Sequence, residues 1–473
     1  MQNKVRFQDR ASPNVGGLRK KMLQKDIFYC HFTDASNAQA LSLLFGNKLR
    51  YVHGVGWHVW NGNFWQPDID HQATEYVKRL ALQRQQLAVR FGDPANKKDF
   101  LEAARRLENT GKALNCLTMA ESAAPFSTLT EHVDRNPMLL TCRNGTIDLK
   151  TGKLKAADPK DLITHCTSVS YAPTAKAPRW EKFLKEVFVT KSGLGDWELI
   201  AWIQKVLGYT LTGHIKERSL YVNYGEGANG KTTVFNVIEG VMGGYAGVAA
   251  FSSFLEKPWD SAANDIAALR GRRLVGAAET GPGKYLDEVK IKQLTGGDPV
   301  TCRFLYHEPF TYVPTFKIFL ACNDKPRIRG TDAAIWDRIK VIPFNARFEG
   351  KGIDKELTNK LLAEGEGILS WLVEGCLRWQ KEGLDDCNTV KDTTALYRTE
   401  EDAFSRFLKE KVKSQAGAFT SVANLWVAHT FWTRTNGEKE IASSISLGKQ
   451  MERKGYHSVN PNNVRGYNDI VLV

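Results

Sequence analysis

The stretch SLYVNYGEGANGKTTVFNVIEGV, Ser219 to Val241, decides the reading of this chain. An apolar run, Leu220–Tyr224, stops at a glycine-rich turn, and a lysine, two threonines and an amphipathic run follow. Gly225-Glu226-Gly227-Ala228-Asn229-Gly230-Lys231-Thr232 fits the spacing GxxxxGK[ST] in full. The pattern predicts a strand, a loop and a helix in that order. Glycines let the chain turn back so that successive backbone N–H groups converge on phosphate oxygens. The N-terminal end of the following helix adds a field that favours an anion. Lys231 is then placed to reach the β- and γ-phosphates. The Thr232 hydroxyl, beside Thr233, is placed to meet Mg²⁺. ATP and Mg²⁺ are therefore the expected ligands of Gly225 to Thr233.

A phosphate loop names a nucleotide and not a task. The guanine-selective NKxD pattern is not evident at a plausible place, and the signature of ABC transporters is absent. Downstream, GRRLVGAAETG (Gly271–Gly281) predicts a short strand ending in Glu279, a carboxylate suited to holding Mg²⁺ or polarising the attacking water. Two adjacent acids are usual there, and this chain has one. VTCRFLYHEPFTYVP then alternates like a hairpin, with Tyr306-His307 near its tip. FKIFLACN predicts a buried strand capped by Asn323, whose amide is suited to orienting water, although an asparagine there is also an ordinary turn former. TDAAIWDRIKVIPF sets Arg338 between a short helix and a strand. An arginine supplied from a neighbouring subunit to the γ-phosphate fits that place, with Arg327 and Arg329 as rivals and an ion pair to Asp332 or Asp337 as the plain alternative.

The ordered set resembles the superfamily 3 DNA helicases, above all the helicase parts of phage, plasmid and poxvirus primase-helicases. GEGANGKT, LTGGDPV and WDRIKVIPF carry the resemblance, over about Ser219 to Phe344. Upstream, LRYVHGVGWHVWNGNFW and NGTIDLKTGKL look like the domain that precedes this motor. The resemblance implies an AAA+-like ring, usually hexameric, that moves along single-stranded DNA. It implies that the hairpin faces the channel. Relatives often carry Lys-His at its tip, where this chain has Tyr306-His307, so Lys292 and Arg303 are candidates for the missing charge. No space for a primase domain is evident, and a helicase without priming activity is expected.

Around this motor the chain divides by pattern. Residues 1–30 read as a basic leader and 31–180 as an α+β domain. Residues 181–350 read as the ATPase core, 351–397 as a helical extension and linker, and 398–473 as a winged-helix-like domain. In 31–180, Leu49–Pro67 reads as a hairpin whose Trp57, Trp60 and Trp65 suit core packing better than base stacking. Leu139–Leu154 reads as a second hairpin, with turns at Asn144-Gly145 and Thr151-Gly152. DDCNTVKDTTALYRTEED reads as the linker. The last 70 or so residues read as three helices followed by two short strands. Ser443–Gly455 is the expected recognition helix, with Lys449, Arg453 and Lys454 toward DNA phosphates and Arg465 and Tyr467 on the wing.

With 473 residues, 42% hydrophobic and 25% charged, the chain has the composition of a multidomain globular protein. A net charge of +13 suits a polyanionic partner. The eight cysteines form no CxxC pair, against a zinc ribbon. No run is apolar enough for a membrane span or signal peptide, so the cytoplasm is the expected place. The fold class expected is α/β. The function expected is an ATP-driven, ring-forming helicase in phage, prophage or plasmid replication, with single-stranded and forked DNA, copies of itself and possibly a separate primase as partners. The alternative is an origin-binding initiator whose ATPase drives assembly. A packaging or partition ATPase fits less well.

Overall fold

The computed structural model describes residues 31–473 apart from 92–95, 191, 257–263, 279–282, 304–308, 331, 351–353, 439 and 442. The chain is mixed α/β and forms two compact units. The first holds Met1–Ala175, Val241–Tyr245 and Thr301–Tyr312; the second holds Lys176–Gly240, Ala246–Val300 and Val313–Val473. Among the described residues no helix is long and apolar enough to cross a membrane.

The first unit begins with α1 (Asp34–Phe45), capped by the Thr33 hydroxyl on the Ser36 N–H. Strands β1 (Leu49–Val52), β2 (Gly56–Trp60) and β3 (Trp65–Pro67) form an antiparallel meander, as their alternation predicts. Helices α2 (Gln72–Phe91), α3 (Lys97–Arg106) and α4 (Thr110–Ala120) follow, and β4 (Ser127–Thr128) joins β1 in parallel. Leu41, Val77, Leu80, Cys116 and Phe126 are fully buried between these elements. Trp65 is buried and donates to the Pro159 carbonyl at 2.9 Å; Trp57 packs edge-on to Phe126 at 5.5 Å. Trp65 and Trp57 thus serve the core, while the half-buried Trp60 packs on Trp65 at 5.4 Å. Strands β5 (Leu139–Cys142), β6 (Gly145–Asp148) and β7 (Lys153–Lys155) form a second meander. Cys142 pairs with Gly145, so the first turn is Arg143-Asn144, one residue earlier than the sequence suggests.

In the second unit α5 (Pro178–Val187) and α6 (Trp197–Thr210) lead into a five-stranded sheet. Its strands are β8 (Leu220–Tyr224), β9 (Ala246–Val248), β10 (Leu274–Ala278), β13 (Lys317–Cys322) and β14 (Ile339–Pro343). Between them run α7 (Lys231–Met242), α8 (Asn264–Ala267), α9 (Glu288–Gly296) and α10 (Ala333–Trp336). Strands β11 (Val300–Cys302) and β12 (Phe310–Tyr312) pair with each other as a separate ribbon, nearly all of it in the first unit. The sheet order is β14-β8-β13-β10-β9, and every pair is parallel. Apolar runs such as LYVNY and KIFLAC suit strands covered on both faces. At the opposite end from the loop, Arg273 and the buried Lys317 donate to the Leu211 and Thr212 carbonyls, capping the C-terminus of α6.

Beyond the sheet, α11 (Leu357–Leu362) precedes α12 (Gly365–Glu382), which crosses α6 at glycines: a Cβ on Gly208 would lie 2.1 Å from the Cys376 nitrogen. The stretch expected as a linker is instead a 14-residue helix, α13 (Asn388–Glu401). Val390 and Tyr397 are its buried positions, seven residues apart on one helical face, and the Thr394 hydroxyl accepts from the Val341 N–H, closing the free edge of β14. Charge alone had hidden that face.

The C-terminal order also differs from expectation. It runs α14 (Ala403–Lys411), β15 (Val412–Ser421), α15 (Val422–Thr435), α16 (Ser444–Arg453) and β16 (Gly466–Leu472). A strand separates the first helix from the second and pairs antiparallel with the last. Tyr467, expected on a wing, is buried with Phe407, Leu447 and Met451. The bridge Val459↔Gly466 closes the 460–465 loop.

Candidate functional site

Register builds the site. Tyr224 pairs with Cys322 on one side and with Pro343 on the other, so β8, β13 and β14 end level. The residues just past those tips are Gly225, Asn323 and Phe344. Such a row of carboxyl ends, where neighbouring strands connect in different directions, is where open parallel sheets bind ligands.

The loop from Gly225 to Gly230 takes its shape from positive φ at Gly227 (95°), Ala228 (46°) and Gly230 (84°). Ala228 holds a conformation that disfavours a side chain. A Cβ on Gly225 would meet Asn229 Nδ2 at 2.3 Å and the Phe344 carbonyl at 2.6 Å. The loop is tied down from both sides. Asn229 Nδ2 donates to the Phe344 carbonyl at 3.4 Å, and the Phe348 N–H donates to the Ala228 carbonyl at 2.8 Å. Helix α7 then starts at Lys231, its first regular bond running from Val234 N–H to the Gly230 carbonyl at 2.9 Å.

Lys231 is 7% exposed. Its ammonium donates to the Gly225 carbonyl and, at 3.0 Å, to Asn323 Oδ1. Two residues 92 positions apart, chosen from the sequence for the same chemistry, are thus in direct contact. Thr232 is exposed on the first turn of α7 and Thr233 is half-buried, while Glu226 is exposed on the loop. Burial pushes the Tyr224 hydroxyl above its ordinary range, with Glu226 and other acids adding to the effect. Glu279 lies outside the described residues; β10 ends one residue before it, with Ala278 level with Ala321.

Arg338 is half-buried and held within its own chain, Nε to Thr295 Oγ1 at 3.2 Å and Nη1 to the Ala334 carbonyl at 2.5 Å. Its rivals are engaged elsewhere. Arg327 pairs with Glu401 at 3.3 Å and with the buried Glu438; Arg329 lies over the Tyr285 ring at 3.8 Å and pairs with Glu256 at 3.0 Å.

The expected DNA-binding residues are spread out. Tyr306 and His307 lie outside the described residues, while Arg303 is exposed at the end of β11. Lys292 is half-buried and paired with Asp332 at 2.6 Å. Lys449 and Arg453 are exposed on α16, whereas Lys454 is paired with Asp402. Among the described residues no cluster of acids, histidines and cysteines is suited to a metal.

Sequence reasoning missed a cavity of about 610 Å³ whose wall includes Tyr224, the residue before the loop. Tyr224, Lys325, Pro343, Asn345, Asp392 and Leu396 contribute to its wall. The nearest signal was Tyr224 itself, the aromatic residue that precedes the first loop glycine.

Two family models match separate stretches of the chain. Residues 38–189 match the family described as D5 N terminal like, and residues 223–338 match a family of unknown function, DUF5906. The chain is 29% identical over 346 residues to a putative helicase of Acanthamoeba polyphaga mimivirus, covering 67% of this chain and 35% of that protein. A putative helicase of Invertebrate iridescent virus 6 is 27% identical, over 52% of this chain and 26% of that one. A putative primase of African swine fever virus is 22% identical, over 78% and 41%. The chain therefore spans well under half the length of these relatives. Among solved structures, the apo C-terminal region of NrS-1 is similar at a TM-score of 0.40 and 10% identity, over 63% of this chain and 77% of that one. The chain is thus similar over part of its length to viral proteins described as putative helicases and primases.

Proposed function

We infer that the protein is an ATP-hydrolysing, ring-forming DNA helicase of replication, with an AAA+-like P-loop core and a winged-helix-like C-terminal domain. The observation that carries the reading is the contact of Lys231 with Asn323 at the shared end of parallel strands, above a loop whose backbone curls to receive phosphate. The viral relatives described as putative helicases support the same task.

The residues present fit ATP with Mg²⁺. The loop N–H groups of Gly225 to Thr233 would hold the phosphates, and the exposed Thr232 hydroxyl with Glu279 would hold the metal. Bound Mg²⁺ neutralises charge on the β- and γ-phosphates. Lys231 would turn from the Gly225 carbonyl and Asn323 to a phosphate oxygen, which releases the Asn323 amide to orient the attacking water. Arg338 would leave Thr295 and Ala334 to reach the nucleotide of the next protomer, so each site is completed by a second copy. Arg303, Tyr306, His307 and Lys292 would contact single-stranded DNA, and Lys449 and Arg453 duplex phosphates, with Lys454 spent on Asp402. Exposed cations on α16 also favour the initiator reading, which requires strict dependence on one duplex sequence.

Lys231→Ala tests the reading. It is expected to abolish ATPase and forked-duplex unwinding while leaving binding to single-stranded DNA. ATP hydrolysis at the unmodified rate in that variant would refute it. Arg338→Ala is expected to lose ATPase and keep nucleotide binding, and electron microscopy with single-stranded DNA and a non-hydrolysable ATP analogue is expected to show closed rings.

A further inference from the structure

The cavity beside the loop has a defined chemistry. Its volume, about 610 Å³, is ample for a nucleoside and lies within the roughly 300–1,000 Å³ of small-molecule sites. It is continuous with the phosphate loop at two points. Tyr224 is the residue before Gly225, and Asn345 follows Phe344, whose carbonyl accepts from Asn229 of the loop at 3.4 Å. The Phe344 N–H in turn donates to the Tyr224 carbonyl at 2.8 Å, so floor and loop are one hydrogen-bonded piece. Tyr224, Pro343 and Leu396 offer apolar faces of the kind that hold a flat ring.

The polar groups of the wall sort into used and unused. Asp196 accepts from the Leu199 N–H at 2.9 Å and from the Thr389 hydroxyl at 2.6 Å. Lys325 is paired with Glu400 at 2.5 Å and sits between the rings of Tyr224 (4.9 Å) and Tyr397 (4.8 Å). The Thr393 hydroxyl donates to the Thr389 carbonyl at 2.7 Å, and Asn345 Nδ2 donates to the Val189 carbonyl at 3.2 Å. The Asp392 carboxylate and Asn345 Oδ1, both on exposed residues, have no protein donor among the described residues and are open to solvent or a ligand. Both are acceptors, so a ligand that fills the cavity and displaces their water is matched where it donates.

We propose that this cavity is the base subsite of the nucleotide site, and that Asp392 and Asn345 accept from the exocyclic amino group of the base. The proposal rests on the reading of Gly225–Thr233 as an ATP loop. An adenine amino group carries two N–H donors and meets two acceptors. A purine without that amino group leaves both unmatched, and a hydrogen bond lost at a charged partner costs about tenfold or more in affinity.

The test uses the full chain with Mg²⁺ and calorimetric titration of three ligands: ATP, purine riboside triphosphate, which lacks the amino group, and inorganic tripolyphosphate. The protein is expected to prefer ATP to purine riboside triphosphate by about tenfold, Asp392→Ala to reduce that preference, and Asp392→Ala combined with Asn345→Leu to erase it. Leu396→Trp is expected to fill the cavity, weakening ATP at least as much and leaving tripolyphosphate unchanged. Leu396 is 53% exposed, so the substitution tests the cavity without disturbing a core, and an unchanged melting temperature verifies this. Equal affinity for the two nucleotides, or ATP binding by Leu396→Trp at the unmodified strength, overturns the proposal. Lys231→Ala separates the two readings: it is expected to weaken tripolyphosphate as well as ATP, and unchanged binding of both would overturn the ATP loop itself whatever the cavity does.

Discussion

Replacing Asn323 with aspartate tests the geometry of the phosphate loop from an unusual direction. Asn323 Oδ1 accepts from the Lys231 ammonium at 3.0 Å. An isosteric carboxylate turns that hydrogen bond into an ion pair, which must break before Lys231 can reach a phosphate. At 3.0 Å the Coulomb term is about 5 kcal/mol at an effective dielectric constant of about 20. Asn323 is exposed, so solvent screening and the lost neutral hydrogen bond reduce the net gain to about 2 kcal/mol. That gain belongs to the nucleotide-free protein alone, so ATP binding weakens by roughly 30-fold. Asn323→Ala has the opposite sign at this step, because it frees Lys231. It is expected to bind ATP no more weakly than the unmodified protein while losing about 100-fold in kcat, the usual size for one lost polar group that acts in a transition state. Calorimetric titration of ATP into both variants, with single-turnover hydrolysis alongside, reads the two effects separately. If Asn323→Asp binds ATP as tightly as the unmodified protein, Lys231 does not move from Asn323 to phosphate and the argument fails.

Three further outcomes follow from packing and titration. Gly208→Ala puts a Cβ 2.1 Å from the backbone nitrogen of Cys376, and forcing α6 from α12 should cost about 3 kcal/mol or more, visible as a lower melting temperature. His429 is buried against Phe407 and Phe404, and burial lowers its pKa from 6.5. Its contribution is present above pH 6.5 and lost as pH falls below that value, so His429→Gln should lose less melting temperature than the unmodified protein between about pH 7.5 and 5.5. Burial raises the Asp134 carboxyl, but the His165 ring and both Thr164 donors more than offset this and hold it at about 2, below its ordinary 3.8. That stability is present above the unfolded value and lost as pH falls toward about 2, and Asp134→Asn should remove about 1–2 kcal/mol at neutral pH, measured by denaturant titration.

The glycine-rich loop and the strand tip beside it were legible because each part is local. GEGANGKT carries its turn, its lysine and its helix start within eight residues, and FKIFLACN carries strand and tip together. Their meeting was legible as chemistry but not as geometry, since only the parallel register of β8 with β13 brings Asn323 to Lys231. Periodicity failed where a narrow apolar face lies within a polar run. In α13 only Val390 and Tyr397 are fully buried, and the acids around them look like a linker until Thr394 is seen to close the edge of β14. It failed again at the C-terminus. Val412–Ser421 is mostly exposed, so no alternation marks it as a strand, and its pairing with Gly466–Leu472 is what turns Tyr467 inward.

The cavity shows a deeper limit of sequence reading. Its wall draws on Thr190 and Asp196, Tyr224, Lys325, Pro343 and Asn345, and the α13 face from Thr389 to Glu400. Each segment has an ordinary local role: Asp196 caps α6, Thr389 supports that cap, and Lys325 neutralises Glu400. A motif search ranks residues by what they do for their neighbours in sequence, so it passes over all of them. What distinguishes Asp392 and Asn345 Oδ1 is the lack of any such role, and that becomes visible only once the hydrogen bonds of the surrounding wall are laid out. A recognition surface built this way is defined by subtraction, and its preference for a donating ligand arises when that ligand displaces water from the two acceptors the protein has left open.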